Sequence, residues 1–268
     1  MEVQYAIQRA MEKVRFKVAV ISGKGGVGKT TVAVNLAVRL ASLGRTVGLL
    51  DVDITGPNVA IQLGLQGQRP VVDPEARKFY PVPGPFDVKV VSMAFLTEDP
   101  DQPVIWRGPM KMSALRQFLT DAEWGTLDYL VVDLPPGTGD ETLDVLQLIP
   151  DARPVIVTTP QDVALVSSRK TMVMVQIMKR QPLGIIENMS GFVCPHCGEE
   201  TPIFGEGGGR KASDDLHIPF LGKVPLDVAV REQGDTGMPV VLKRPDSPAG
   251  KAFLEIAKKI MDGLERAK

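Results

Sequence analysis

Short apolar runs, rich in β-branched residues, alternate along the chain with longer segments of helical periodicity. Most of these runs are apolar on both faces, which is typical of parallel strands covered by helices on each side. The predicted strands lie at 17–22, 46–51, 88–93, 129–134, 154–159, 183–188 and 220–225, and the predicted helices at 28–43, 110–121, 140–149, 161–179, 226–233 and 248–266. This alternation predicts an α/β fold with a mostly parallel central sheet and helices on both faces.

Three other segments complete the predicted organisation. Residues 1–15 are expected to form a short helix or extension before the first strand, and residues 66–86, which hold several Pro and Gly, a surface excursion such as a hairpin. Residues 189–213 contain both cysteines and several glycines and are expected to form an irregular cysteine loop. Because no segment resembles a linker, we expect a single domain over residues 1–268.

Composition narrows the class of protein. The chain is 44% hydrophobic and 24% charged, which is ordinary for a soluble globular protein. Its formal net charge of −1 argues against a broad nucleic-acid-binding surface. No apolar run approaches the ~18–20 residues that span a bilayer, and the N-terminus lacks the apolar core of a secretory signal. We therefore expect a cytoplasmic protein that binds neither membrane nor nucleic acid.

The segment GKGGVGKT follows the first predicted strand and opens a predicted helix. It matches the phosphate-loop pattern, in which glycines let backbone N–H groups face a phosphate at a helix N-terminus. Lys29 should reach the β- and γ-phosphates, and Thr30 should offer its hydroxyl to Mg²⁺. A Gly-rich turn without a ligand is the alternative. The predicted ATP-binding residues are Gly23, Lys24, Gly25, Gly26, Val27, Gly28, Lys29, Thr30 and Thr31.

Carboxylates follow two other predicted strands. Asp51 and Asp53 come at the end of one, and Asp133 ends another, before the sequence PPG. Ligands of open parallel sheets bind at the carboxyl ends of strands, so these side chains should lie beside the phosphate loop. The position of Asp133 is typical of a carboxylate that holds Mg²⁺. The PPG segment after it is typical of a switch loop that responds to the γ-phosphate. Alternatively, Asp51 and Asp53 cap the segment that follows them.

The two cysteines of the chain, Cys194 and Cys197, lie in CPHCG. A zinc site would need further ligands, such as His196 or His217. A dithiol redox site would need a helix starting at the pair, which the Gly-rich sequence after it disfavours. A [4Fe–4S] cluster usually takes four thiolates, so two chains could share one. An inert cysteine pair is the fourth interpretation.

The second lysine of the loop, Lys24, makes GKGGVGKT similar to the deviant Walker A class, which includes MinD, ParA, nitrogenase iron protein and the Mrp/ApbC carriers. The resemblance implies that Lys24 crosses to the nucleotide of a partner subunit, whereas alone it could be a solvated loop lysine. It also implies that Asp53 orients the attacking water and Asp51 supports the Mg²⁺ shell. Asn188, otherwise a common turn former, would bond the adenine edge, and Pro225 would flank the base.

Five segments together resemble the Mrp/ApbC family of iron–sulfur cluster carrier ATPases: GKGGVGKTTVAVNLA, LLDVDITGPNV, VIWRGPMKMSALRQFL, VVDLPPGTGD and ENMSGFVCPHCGEETPIFGEGGG. The resemblance implies a homodimer that hydrolyses ATP with Mg²⁺ and holds a [4Fe–4S] cluster at Cys194 and Cys197 of both subunits. It implies transfer of the cluster to apo iron–sulfur proteins, with zinc possible at the same cysteines. The N-terminal extensions of some relatives have no counterpart in this sequence.

Two related classes are the alternatives. A MinD/ParA-type positioning ATPase would act on a membrane or DNA surface. The C-terminal stretch, with Phe253, Ile256, Ile260 and Leu264 at helical spacing, could lie on a membrane, although such a stripe more often docks on its own domain. This class has no use for CPHCG. A nitrogenase-iron-protein-type reductase separates its cysteines widely in sequence, whereas here they are neighbours.

Overall fold

The computed structural model describes residues 2–53, 56–96, 108–194 and 196–266. The helices in these ranges are α1 (Glu2–Met11), α2 (Lys29–Ser42), α3 (Val59–Gln62), α4 (Gly108–Thr120), α5 (Asp140–Leu148), α6 (Asp162–Ile177), α7 (Gly208–Leu216), α8 (Val228–Asp235), α9 (Val240–Lys243) and α10 (Pro248–Glu265). The strands are β1 (Val14–Ser22), β2 (Val47–Asp51), β3 (Val71–Asp73), β4 (Lys78–Tyr80), β5 (Val82–Pro83), β6 (Lys89–Ser92), β7 (Leu127–Asp133), β8 (Arg153–Thr158), β9 (Gly184–Glu187), β10 (Phe192–Val193), β11 (Glu200–Thr201) and β12 (Phe220–Lys223).

The central sheet has the strand order β12-β9-β8-β1-β7-β2-β6-β5 within the described ranges. Every neighbouring pair is parallel except β5 and β6, which run antiparallel at one edge. This arrangement confirms the predicted mostly parallel α/β sheet. Because parallel strands end at the same edge, the carboxyl ends of β1, β2 and β7 meet there, with Asp133 beside Val20 and beside Asp51.

Alternation along β1 shows why the strands are apolar on both faces. Phe16, Val18 and Val20 enter a core that contains buried residues of α2 and α10. Ala19 and Ile21 enter a second core, on the other face, with buried residues of α4, α5 and α6. Successive side chains of a strand point to opposite faces, so a strand covered on both sides must be apolar at nearly every position.

The segment 66–86 contains an antiparallel pair, β3 and β4, which confirms the predicted hairpin. The expectation of an irregular loop over 189–213 is wrong at two places. β10 and β11 form a short antiparallel hairpin around the cysteines, and α7 begins at Gly208. Glycine is a poor helix former, so the start of α7 carries no local helix signal.

The apolar stripe near the C-terminus is part of the core. Phe253, Ile256 and Ile260 are at most 1% exposed and Leu264 is 4% exposed. The helix that carries them, α10, packs against α2 and β12. The stripe therefore docks on the chain itself. Within the described ranges, no helix has the length and apolar character required to cross a bilayer.

Replacing Phe253 with alanine should lower the free energy of unfolding by about 3–5 kcal/mol, because it leaves a cavity between α10 and the sheet. Urea denaturation of the full chain measures this loss. Lys258→Ala is the matched control on the same helix, since Lys258 is exposed and pairs with the exposed Glu255 at 2.9 Å; it should cost less than about 1 kcal/mol. Equal losses for the two variants would contradict the docking of α10 through this stripe.

Candidate functional site

The phosphate loop occupies residues 23–28, between the end of β1 and the start of α2. Gly28 has a φ of 81°, in the left-handed region that favours glycine. A Cβ atom at this position would collide with the side chain of Asn188, and one at Gly23 would collide with the backbone of Ser167 in α6. Both ends of the loop are therefore closed to larger residues, which explains the two outer glycines of the motif.

Lys29 and Thr30 both contact Asp133. The Lys29 ammonium lies 2.6 Å from Asp133 Oδ1 and 4.0 Å from Asp53 Oδ2. Thr30 Oγ1 donates a hydrogen bond of 2.6 Å to Asp133 Oδ2. The strand order thus brings together residues that are about a hundred positions apart in the chain. A hydroxyl and carboxylates gathered in this way are the hard oxygen donors that Mg²⁺ binds, so the donor set fits that ion.

Asp51 is buried as completely as Asp133 and more completely than Asp53. It is fully buried, and its oxygens accept hydrogen bonds from Ser92 Oγ at 2.9 Å and from the N–H of Asp53 at 3.1 Å. Burial, followed by the charge of Asp133, raises the pKa of Asp51 to about 8. Burial also raises the pKa of Asp133, against the opposing charge of Lys29. Burial and the nearby carboxylate therefore both favour the protonated form of Asp51.

Ser92 has no role in the sequence motifs, yet it is a direct partner of Asp51. It ends β6, which pairs with β2 so that Ser92 lies beside Asp51. Its polar side chain at the end of an apolar strand, the same position that marks Asp51 and Asp133, was the available signal. The bond from the Asp53 N–H also shows that Asp51 has a local turn-capping contact, alongside its place in the carboxylate cluster.

Lys24 is exposed on the phosphate loop, and its backbone carbonyl accepts a hydrogen bond of 3.1 Å from Ser22 Oγ. The predicted switch loop also contacts Ser22, since the N–H of Gly137 donates to the carbonyl of Ser22 at 2.8 Å. The PPG segment and the phosphate loop are thus neighbours. A change of backbone conformation in one loop would therefore alter the hydrogen bonds of the other.

Asn188 and Pro225 line a pocket beside the phosphate loop. Asn188 is 6% exposed, and its Nδ2 donates a hydrogen bond of 2.9 Å to the carbonyl of Val27. A pocket of about 320 Å³ adjoins the loop, and its lining includes Gly28, Thr31, Asn188 and Pro225. Small-molecule pockets have volumes of roughly 300–1,000 Å³, so this one is large enough to take part of a nucleotide.

The cysteines lie in the turn of the β10–β11 hairpin, where the Cys194 N–H donates to the Glu199 carbonyl at 3.0 Å. Cys194 is half-buried and Cys197 is exposed. The backbone N–H groups of Cys197 and then His196 lower the pKa of the Cys194 thiol. Neither cysteine starts a helix, which argues against the dithiol redox interpretation.

Metal ligands for the cysteine pair are incomplete within the described part of one chain. No group of three or more His, Cys, Asp and Glu side chains there could hold a metal ion. His196 and His217 therefore do not complete a mixed zinc site with Cys194 and Cys197. Two thiols presented at an exposed turn need ligands from outside this group to bind a metal or a cluster.

The sheet, the phosphate loop and the carboxylate cluster together define a P-loop NTPase. A family model described as "ParA: NUBPL iron-transfer P-loop NTPase" matches residues 13–261. The chain belongs to this family.

Named relatives match over almost the whole chain. The iron-sulfur cluster carrier protein of Methanocaldococcus jannaschii is 46% identical over 98% of this chain and 89% of its own length. The iron-sulfur cluster carrier protein of Synechocystis sp. is 51% identical over 97% of this chain and 74% of its own length. These proteins are similar to the chain along nearly all of its length.

Solved structures share the fold. A nucleotide-binding protein from Archaeoglobus fulgidus in complex with ADP superposes with a TM-score of 0.76 and 38% identity, covering 87% of this chain and 91% of that one. The cell division ATPase MinD of Pyrococcus furiosus superposes with a TM-score of 0.66 at 23% identity, over 92% of this chain and 99% of its own. The second likeness shows the fold alone.

Without nucleotide and Mg²⁺, the contribution of Asp51 to the free energy of unfolding should fall as pH rises between about 3.8 and about 8, the ordinary and the raised pKa of Asp51. In this window the folded chain holds the Asp51 proton that the unfolded chain releases, so raising the pH favours unfolding. Asp51→Asn removes this contribution. The variant should gain stability relative to wild type as pH increases, measured by urea denaturation at several pH values.

Asp214→Asn, which removes an exposed carboxylate, is the matched control for loss of one charge. Its stability difference from wild type should stay nearly constant over the same range. Parallel pH profiles for Asp51→Asn and wild type would contradict a raised pKa of the Asp51 carboxyl.

Proposed function

We propose that this chain is an ATP-hydrolysing iron–sulfur cluster carrier. Two copies form a homodimer, hold a [4Fe–4S] cluster as cargo between their cysteine pairs, and transfer it to apo iron–sulfur proteins in the cytoplasm. One observation carries the proposal: an exposed C-x-x-C hairpin directly follows β9, the strand whose end contacts the phosphate loop through Asn188. Residues 1–268 would act as a single P-loop domain.

The nucleotide half of the proposal assigns roles to the residues around the phosphate loop. The backbone of residues 23–31 holds the phosphates of ATP, and Lys29 exchanges Asp133 for the β- and γ-phosphates. Thr30 and Asp133 hold Mg²⁺, with Asp51 supporting the shell of the ion, and Asp53 orients the attacking water. When bound, Mg²⁺ neutralises negative charge on the transferred phosphoryl group. Asn188 and Pro225 bind the base.

The cluster half of the proposal follows from ligand number. Each chain supplies two thiols, Cys194 and Cys197, and a [4Fe–4S] cluster usually takes four thiolates. Cys197 is exposed and Cys194 is half-buried, and this access from solvent suits cargo that must be handed on. The carrier names of relatives at 46–51% identity support this use of the cysteines. Zinc could occupy the same thiolates, since it is bound by the same soft ligands.

The alternative of a membrane-associated positioning ATPase has less support. The stripe of α10 that would lie on a bilayer is buried against the chain's own sheet and α2. The likeness to MinD is at 23% identity and concerns the fold. The cysteine hairpin has no task in that function, so the carrier accounts for more of the molecule.

Cys194→Ala should abolish cluster binding and leave ADP binding intact, because the hairpin and the nucleotide pocket use different side chains. After anaerobic reconstitution, iron and sulfide determination on wild type should give about two iron atoms per chain, as expected when four thiolates from two chains share one cubane. His196→Ala, which removes the histidine between the two cysteines, should keep its iron. Full iron content in Cys194→Ala would refute the ligand assignment.

Lys24 and Lys29 should act on the same nucleotide from different subunits. Lys24→Ala should slow hydrolysis by about 10³-fold, which is the lower end of the effect of an arginine supplied by a partner. Lys29→Ala should also lose nearly all hydrolysis. An equal mixture should regain about a quarter of wild-type turnover, because half of randomly formed symmetric dimers then carry one intact site of two.

The mixing experiment has a matched control in Lys170→Ala, which removes an exposed lysine from α6 and should hydrolyse ATP like wild type. Turnover is followed by phosphate release over a range of chain concentrations. A mixture no more active than the sum of the two single variants would contradict a lysine supplied across a dimer.

A further inference from the structure

Glu187 is a buried acid that the roles above leave unused. It ends β9, one position before Asn188, and is 1% exposed. A buried carboxylate is stable only when hydrogen bonds or opposite charges compensate its lost hydration. The groups that compensate Glu187 therefore indicate what this side chain holds in place.

Three donors converge on the Glu187 carboxylate. Its Oε1 accepts from Ser190 Oγ at 2.5 Å and from the N–H of Gly207 at 2.9 Å, and its Oε2 accepts from the N–H of Gly209. Gly207 is the N-cap residue of α7 and Gly209 lies in its first turn, where unpaired N–H groups and the helix dipole favour a negative charge. This contact compensates the charge and also explains why a Gly-rich segment begins a helix there.

These donors lie on both sides of the cysteine hairpin. Ser190 precedes β10, whereas Gly207 and Gly209 follow β11. One carboxylate therefore ties together the two ends of the segment that presents Cys194 and Cys197. The N–H of Ser190 also donates to the carbonyl of Val224 at 3.0 Å, so the carboxylate is the bond that the two ends share and not the sole anchor of either.

The same strand end contacts the nucleotide site. Asn188, next to Glu187, donates to the carbonyl of Val27 in the phosphate loop at 2.9 Å, and lines the pocket beside that loop. The carbonyl of Glu187 also accepts from the N–H of Val224 at 2.8 Å, which fixes the residue to the strand beside it. An unbroken series of bonds thus runs from the phosphate loop through Asn188 and Glu187 to both ends of the hairpin.

We propose that Glu187 is a positioning residue that couples the nucleotide site to the cysteine hairpin. Nucleotide bound at the phosphate loop restricts the motion of Asn188 and the end of β9. The Glu187 carboxylate then restricts the motion of its three donors, Ser190, Gly207 and Gly209. The hairpin is then held more firmly when nucleotide is present. This inference rests on the proposed carrier function, for which it supplies the link between ATP and the cargo site.

Hydrogen–deuterium exchange of the full chain without cluster, with and without ADP, tests the coupling. In wild type, saturating ADP should slow exchange of the Cys194 and Gly198 amides, which are hydrogen-bonded within the hairpin, by about fivefold or more, the lower end of ordinary coupling between two sites. In Glu187→Gln the side-chain NH₂ group can only donate, so at least one of the three hydrogen bonds to this side chain is lost. Exchange should become faster without ADP, and the ADP effect should disappear.

The change in the ADP effect distinguishes coupling from a purely structural role. If Glu187 only stabilised the hairpin, the variant would exchange faster but would still slow by the wild-type factor when ADP is added. Coupling needs this direct comparison because spatial connection alone does not establish it. Slowed exchange of the phosphate-loop peptide confirms that ADP is bound in every sample.

Glu199→Gln is the matched control, because it removes an exposed carboxylate beside the hairpin and should keep the wild-type ADP effect. Should Glu187→Gln fail to fold, Ser190→Ala removes one of the three donors and should reduce the effect. An ADP effect that is absent in wild type, or unchanged in Glu187→Gln or Ser190→Ala, overturns the proposal. Iron determination on reconstituted wild type tests the carrier function separately, since the exchange experiment needs no cluster.

Discussion

The buried contact between Lys29 and Asp133 constrains the rest of the site. An ammonium and a carboxylate removed from water are stable only when further hydrogen bonds complete their geometry, and here Thr30 supplies one to the same carboxylate. The contact requires β1 and β7 to be neighbours, since one leads into the loop that carries Lys29 and the other ends in Asp133. It also places Asp51 of the next strand beside Asp133. Burial first, and then the negative charge of Asp133, raise the pKa of Asp51.

The features that the sequence predicted correctly were those encoded locally. Apolar runs located the strands of the parallel sheet, and the glycines and lysines of one short segment located the phosphate loop. The spacing of Phe253 and its neighbours located a buried helix face. Each of these signals depends on a few consecutive residues whose backbone or burial preference is strong. The assignment of single side chains to catalytic or ligand roles stays a prediction.

The features that the sequence missed depend on contacts between distant segments. The glycines at the start of α7 indicated a loop. A helix forms there because the N–H groups at its start are bonded to the carboxylate of Glu187, which lies more than one element earlier in the chain. Ser92 has a weak local signal, a polar side chain at the end of an apolar strand, but its contact with Asp51 depends on the register of β6 against β2. Residues 192–193 and 200–201 are too short for a periodic pattern, and their pairing was therefore not predictable.

The small size of the β10–β11 hairpin has a consequence for its dynamics. Each strand contributes two residues, so the ladder has few hydrogen bonds and little apolar area beneath it. Segments of this kind open by local unfolding at a free energy well below that of the whole domain. The thiols at its turn can thus change their surroundings while the sheet remains folded. A carrier built in this way would release its load by a sub-global opening, and the residence time of that load would be set by local stability rather than by the strength of the core.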